Sequence, residues 1–265
     1  NAFTGAVTIT TNDDADADAD VTIDGGTTAL ILAASTIDGD LTVRSGNASG
    51  IIDNGLVTVG GNLAATTDAA HGVINLDTLA VDGTVQLTTN GSGNATVVND
   101  AGLNFAASTV GGNLAATATT GNMTDSGALT IAGTTTLTTS ANNATIALDT
   151  TTNAFTGAVT ITTNDDANSD ADVTIDGGTT ALVLATSTID GDLTVRSGNA
   201  SGIIDNGLVT VGGNLAATTD AAHGVINLGT LAVDGTVQLT TNGSGNATIV
   251  NDARLDFAAS TVGGN

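Results

Sequence analysis

The chain has 265 residues, 27 acidic side chains that are all aspartate, three arginines (Arg44, Arg196 and Arg254) and a net charge of −24. So few cations leave no electrostatic footprint for nucleic acid or a bare anionic membrane, and no run of 18 apolar residues is present to span one. The absence of cysteine rules out disulfides, zinc-thiolate sites and cysteine nucleophiles, and a core with 2% aromatics must be filled by Leu, Val, Ile and Ala.

The elements repeat from the start. "VTITT" (7–11) alternates apolar and polar residues, the pattern of a half-buried strand. An acidic stretch follows, "NDDADADADVTIDGG" (12–26). Then comes "TIDGD" (36–40) leading into the strand "LTVRS" (41–45), with a second strand at "GIIDN" (50–54). "TVGGN" (58–62) leads into "LAATT" (63–67), followed by "AAHGV" with His71 and the strand "GVINL" (72–76). "AVDGT" (80–84) leads into "VQLTT" (85–89) and "ATVVN" (95–99). "TVGGN" returns at 109–113, "TIAGT" stands at 130–134, "ATIAL" at 144–148 and "AFTGA" at 154–158.

Two periods organise these elements. Residues 153–265 align with 1–113 at an offset of 152, and eight of the 113 positions differ. The chain therefore divides into a first long unit, 1–152, and a second, incomplete copy, 153–265. The shorter period is set by the glycine motif. Its glycines (Gly5, Gly39, Gly61, Gly83, Gly112, Gly133, Gly157 and their copies) are separated by 34, 22, 22, 29, 21 and 24 residues. With one glycine per coil, the long unit holds about six coils.

Three short strands in about 22 residues predict an all-β chain wound as a parallel β-helix solenoid. At about 4.8 Å per coil the stack becomes a rod of about 48 Å. The glycine marks one corner of every coil, where it permits tight or left-handed backbone. An antiparallel sandwich or barrel is the alternative. It fits the "NG" pairs at 54–55 and 90–91, but not the scarcity of aromatics.

The acidic stretch is the one segment with candidate chemistry. It falls between Gly5 and Gly39, the longest interval in the glycine series, and the excess over the neighbouring intervals reads as a loop bulging from the rod. Alternate aspartates of an extended strand share a face about 6–7 Å apart, and a hard cation relieves their repulsion with oxygen ligands. The candidate Ca²⁺ ligands are Asp13, Asp14, Asp16, Asp18 and Asp20, then Asp165, Asp166, Asp170 and Asp172 in the second copy, where Asn168 replaces Asp16. The run lacks the glycine and terminal glutamate of an EF-hand, and a solvated acidic loop explains the same residues. His71 and His223 read as turn residues. The Asn-X-Ser/Thr triplets at 47, 94, 122, 143, 199 and 246 are an expected by-product of composition. No Ser-His-Asp set assembles, so the chain is read as a non-enzyme. Outward threonines suggest an ice-binding ladder, but Arg44 and other residues interrupt it.

The stretch "LTVRSGNASGIIDNGLVTVGGNL" (41–63) resembles the repeats of filamentous-haemagglutinin-type adhesins and other giant bacterial surface proteins. The resemblance implies a right-handed β-helix shaft, secretion in extended form, a place outside the cell or on its surface, and a role in attachment. It implies partners of two kinds: other copies or continuing repeats of the same array, and a host-cell, neighbouring-cell or matrix surface. It transfers no functional residues, because such families keep secretion and receptor-binding elements outside the shaft. A self-assembling filament or surface-layer subunit is the second reading, and a carbohydrate-active β-helix enzyme the third.

Overall fold

The computed structural model describes residues 1–12, 19–164 and 170–265. The described residues contain strands and turns and no helix, wound as a parallel β-solenoid of about 11 turns with about 22 residues in each. The chain forms two compact units, Asn1–Gly133 and Thr134–Asn265, a division that falls shortly before the second sequence copy begins at Asn153.

In the first unit each turn crosses two faces. Val21–Asp24, Leu41–Ser45, Leu63–Ala70 and Thr84–Asn90 lie side by side on one face. Leu30–Leu32, Ile51–Asp53, Ile74–Val81, Ala95–Asn99 and Leu114–Ala118 lie on the other. Each of these pairings is parallel. Leu41 stands beside Leu63, and Leu63 beside Val85. The second unit repeats the scheme, with Val173 beside Leu193 and Leu193 beside Leu215.

Alternation dictates the packing. In Leu41–Ser45 residues 41, 43 and 45 are buried, while Thr42 and Arg44 face outward. Stacking then puts like upon like, as Leu30, Ile51, Ile74, Ala95 and Leu114 fall in one internal column. Polar side chains that turn inward are satisfied within the coil. Thr67 and Thr89 donate their hydroxyls to the carbonyls of Gly72 and Gly93, closing the turn after each strand. The buried Asn99 amide imitates a strand residue: its oxygen accepts the Val81 N–H, and its nitrogen donates to the Val81 and Gly102 carbonyls.

The glycine motif does not run up a single corner. "TVGGNLAAT" at 58–66 carries the chain from Val57–Val59 on the second face to Leu63–Ala70 on the first. The same nonapeptide at 109–117 carries it the opposite way, from Ser108–Val110 on the first face to Leu114–Ala118 on the second. Gly61 donates its N–H to the Gly39 carbonyl and Gly83 to that of Gly61, forming one edge. Gly112 donates to Gly93 and Gly133 to Gly112, forming the other. One cassette thus serves both edges, and the interval between Gly83 and Gly112 spans more than one turn. Counting glycines therefore undercounts turns: at about 22 residues per turn, the long unit 1–152 holds about seven turns and not six.

The long interval around the acidic run divides into two parts. Val7 bridges Leu32 and Thr10 bridges Thr36 on the second face, while Val21 pairs with Leu41 on the first. Gly5 and Gly39 do not occupy the same place in successive coils, which accounts for part of the interval. The rest lies in the acidic run itself: the chain takes 11 residues from Thr10 to Val21 where the next coil takes five from Thr36 to Leu41.

The reason for glycine also differs from expectation. None of Gly39, Gly61, Gly83, Gly112 and Gly133 has a positive φ. A Cβ on Gly83 would lie 2.5 Å from the Gly61 carbonyl oxygen and 2.7 Å from Asn62 Oδ1, because the coils approach closely at this edge. Left-handed backbone occurs at the other turns, at Gly26, Gly50 and Gly91 and also at His71.

Candidate functional site

Six of the nine predicted Ca²⁺ ligands (Asp13, Asp14, Asp16, Asp18, Asp165 and Asp166) lie outside the described residues, as does Asn168. The other three, Asp20, Asp170 and Asp172, sit at the root of the acidic segments, and hydrogen bonds fix each of them.

Asp20 opens a ladder along one edge. Its Oδ1 accepts the N–H of Asp40, one coil on, at 2.8 Å. Asp40 Oδ1 accepts the N–H of Asn62 at 2.7 Å and the Asn62 side-chain amide at 3.1 Å. Asn62 Oδ1 accepts both the N–H and the hydroxyl of Thr84 at 2.8 Å. Each residue therefore binds its counterpart one coil later, through the oxygen that the missing glycine Cβ leaves room for. Asp172 does the same for Asp192, and Asp192 for Asn214. On the opposite edge Asn94 Oδ1 accepts the Asn113 N–H.

Asp170 is held differently. Its N–H donates to Asp190 Oδ2 at 3.1 Å and its carbonyl accepts the Asp172 N–H. With its amide turned to satisfy both groups, Asn143 donates to Asp170 Oδ2 at 3.0 Å. Asp190 is 5% exposed, and its own N–H donates to Thr163 Oγ1. The carboxylates at the root are thus engaged as acceptors from backbone and amide N–H groups. Among the described residues, no group of three or more His, Asp or Glu side chains gathers around one point.

The ladder gives a direct mutational expectation. In Asp40→Asn the amide oxygen can still accept the Asn62 N–H, as Asn62 itself does for Thr84. The variant should match the parent within about 0.5 kcal/mol in denaturant melts. Asp40→Ala removes that acceptor and should cost about 1–2 kcal/mol. Equal losses from both variants would show that the charge, and not the hydrogen bond, is what the position needs.

The other candidates prove to be parts of the coil. His71 and His223 occupy left-handed turns (φ 66° and 68°), where Nδ1 accepts the N–H of Ser92 and of Ser244. Their ring nitrogens fasten one turn to the next. The amide triplets are likewise occupied: Asn47 accepts the Ser49 N–H and donates to the Thr27 carbonyl, and Asn199 repeats both bonds. The threonine rows divide between faces. Thr42 stands beside Ala64 and Ala64 beside Gln86 on the first face, whereas Ala115 lies beside Thr96 on the second.

Surface ion pairs recur in the two units. The Arg44 guanidinium meets Asp68 at 2.8 Å, and Arg196 meets Asp220 at 2.8 Å. The hydrogen bond and charge of Asp68 hold Arg44 above its usual value, as those of Asp220 hold Arg196. Both arginines are about half exposed, so the pairs add little stability. A shallow groove of about 290 Å³ beside Val81–Gly83 and Ala101–Asn104 has Asp82 as its one titratable lining residue, which provides no acid–base pair.

A family model described as "Repeats of unknown function (DUF5649)" matches residues 92–162, just over a quarter of the chain. No curated protein and no solved structure matches. The match agrees with the repetitive solenoid and assigns no activity to it.

Proposed function

We propose that the chain is a structural shaft segment of a very large repetitive protein, secreted or displayed at the cell surface. Its contribution is reach, and attachment is the purpose that reach serves. One observation carries this reading: polar side chains along the edges and turns of the coil bond one coil to the next. Asp20, Asp40, Asn62, Asn94, Asp172, Asp192, His71 and His223 all do so. Two copies that differ at eight of 113 positions add support, because a spacer gains length by duplication without needing new sites. The resemblance to filamentous-haemagglutinin-type adhesins supports the surface location and the attachment role. The partners proposed on that basis are continuing repeats of the same array and the surface of another cell or matrix.

The test is an in-frame deletion of one complete long unit, the segment 1–152, from the full-length protein in its own cells. Surface display and attachment should persist, and the distance from the cell to a label placed beyond the deletion should shorten. Loss of attachment with display intact would place the binding chemistry in this segment and overturn the reading.

A further inference from the structure

The two units carry the same shallow apolar groove at equivalent positions. In the first, Leu56 and Val98 form the walls and the buried Leu79 the floor, with Asp77 and Asp100 at the rim; its volume is about 260 Å³. In the second, Leu208, Val250, Leu231 and Asp252 take those places around about 280 Å³, and Gly229 stands where Asp77 stood. Leu56 is 49% exposed and Leu208 47%, in a chain whose other leucines are turned inward or partly covered.

The groove follows from a bend. Ile51–Asp53 and Val57–Val59 are separate strands, and both pair with the long strand Ile74–Val81 of the next coil. At the bend, Asp77 and Thr78 face outward in succession, and Leu56 is displaced outward beneath them. The Asp53 carboxylate, 8% exposed, fixes this shape by accepting the N–H groups of Asp77 (3.1 Å) and Thr78 (2.8 Å) and the Thr78 hydroxyl (2.9 Å). Asp205 repeats the clamp on Gly229 and Thr230. The exposed leucine is therefore held on a rigid bend. Two of the eight differences between the copies fall on this bend, Asp77 to Gly229 and Ala34 to Thr186, the latter packed against Gly55 and Gly207 respectively.

We infer that each groove is a docking socket for a cationic amphipathic segment of a partner polypeptide. A large aliphatic side chain of the partner rests between Leu56 and Val98, and a neighbouring Lys or Arg faces the rim carboxylates. Charge decides the occupant. A second copy of this chain would bring another −24, no lysine, and three arginines each already paired, with Asp68, Asp220 and Asp256. A basic segment gains long-range attraction to the whole surface and a specific apolar seat. The Asp77–Gly229 difference makes the first socket the more selective for positive charge. This inference stands apart from the shaft role, since a spacer without sockets would serve that role equally well.

The test uses the 265-residue chain, methyl-labelled on Leu and Val, with three synthetic peptides of equal length: alternating Leu–Lys, Leu–Gln and Gln–Lys. The Leu–Lys peptide should bind tightest and shift the methyl signals of Leu56, Val98, Leu208 and Val250. Leu56→Ser with Leu208→Ser should weaken it about fivefold or more while leaving circular dichroism unchanged. Asp77→Gly should reduce the salt dependence at the first socket. Equal binding of Gln–Lys would show only general attraction to an acidic surface, and equal binding of Leu–Gln would remove the charge requirement. Either result, or unchanged affinity in the double serine variant, overturns the inference.

Discussion

Gly50→Ala should unfold the coil around it, lowering stability by about 2–5 kcal/mol. Two costs add. Gly50 has φ +65°, a left-handed conformation that costs an L-residue about 1–2 kcal/mol. Its new Cβ would also press on the Val73 backbone, 2.7 Å from the carbonyl carbon and 2.8 Å from the nitrogen, for a further penalty of about 1–3 kcal/mol. Neither side can give way cheaply. The Gly50 carbonyl accepts the Leu30 N–H from the coil before, and the Val73 carbonyl accepts the Ile51 N–H from Gly50's own coil. Gly202→Ala should behave alike, at φ +65° against Val225. Gly229→Ala is the control: nothing lies within 4 Å and φ is not positive, so it should be neutral or slightly stabilising. Urea melts followed by circular dichroism measure all three, and a neutral Gly50→Ala would contradict the described turn.

Phe105→Ala should cost about 3–5 kcal/mol, as expected for emptying a fully enclosed aromatic site. Phe105 is 0% exposed at the end of Leu103–Phe105. In the 265-residue chain its copy Phe257 lies in the final coil and is 56% exposed, so in that chain Phe257→Ala should cost less than about 1 kcal/mol. The pair tests burial at constant local sequence: both phenylalanines stand before "AAST" and one position after Asn104 or Asp256. Comparable losses at the two sites would mean that the interior is not filled as described.

Much of this architecture was legible in the sequence because its physics is local. Period-two alternation in "LTVRS" and "VQLTT" reads directly as one buried and one outward face, and the near-identity of the two long copies reads as repetition. What could not be read was which face a strand joins. "TVGGNLAAT" has one sequence and crosses in both directions, because it encodes a close approach of backbones and nothing about the side reached. The role of the residue after glycine was available but missed. Asp40, Asn62 and Asn113 all follow the motif glycine, and a short side-chain oxygen there suits an N–H one coil on. Spacing along a strand also says nothing about what an adjacent coil offers an aspartate. Asp20 and Asp172 find backbone N–H groups there. The apolar groove at Leu56 was also invisible, since it arises where a bend makes two successive residues face outward and breaks the alternation.

The winding itself is best tested by paired cysteines, in a chain that has none of its own. Thr109 stands beside Thr88 on the first face, whereas Thr117 pairs with Val98 on the second. Adjacent parallel strands lie about 4.8 Å apart, within disulfide reach. A single column of motif glycines would instead set Thr88 beside Thr117. Mild oxidation should cross-link Thr88→Cys with Thr109→Cys readily and leave Thr88→Cys with Thr117→Cys reduced. The reverse result, or no cross-link in either pair, would contradict a solenoid whose repeated cassette alternates between its two edges.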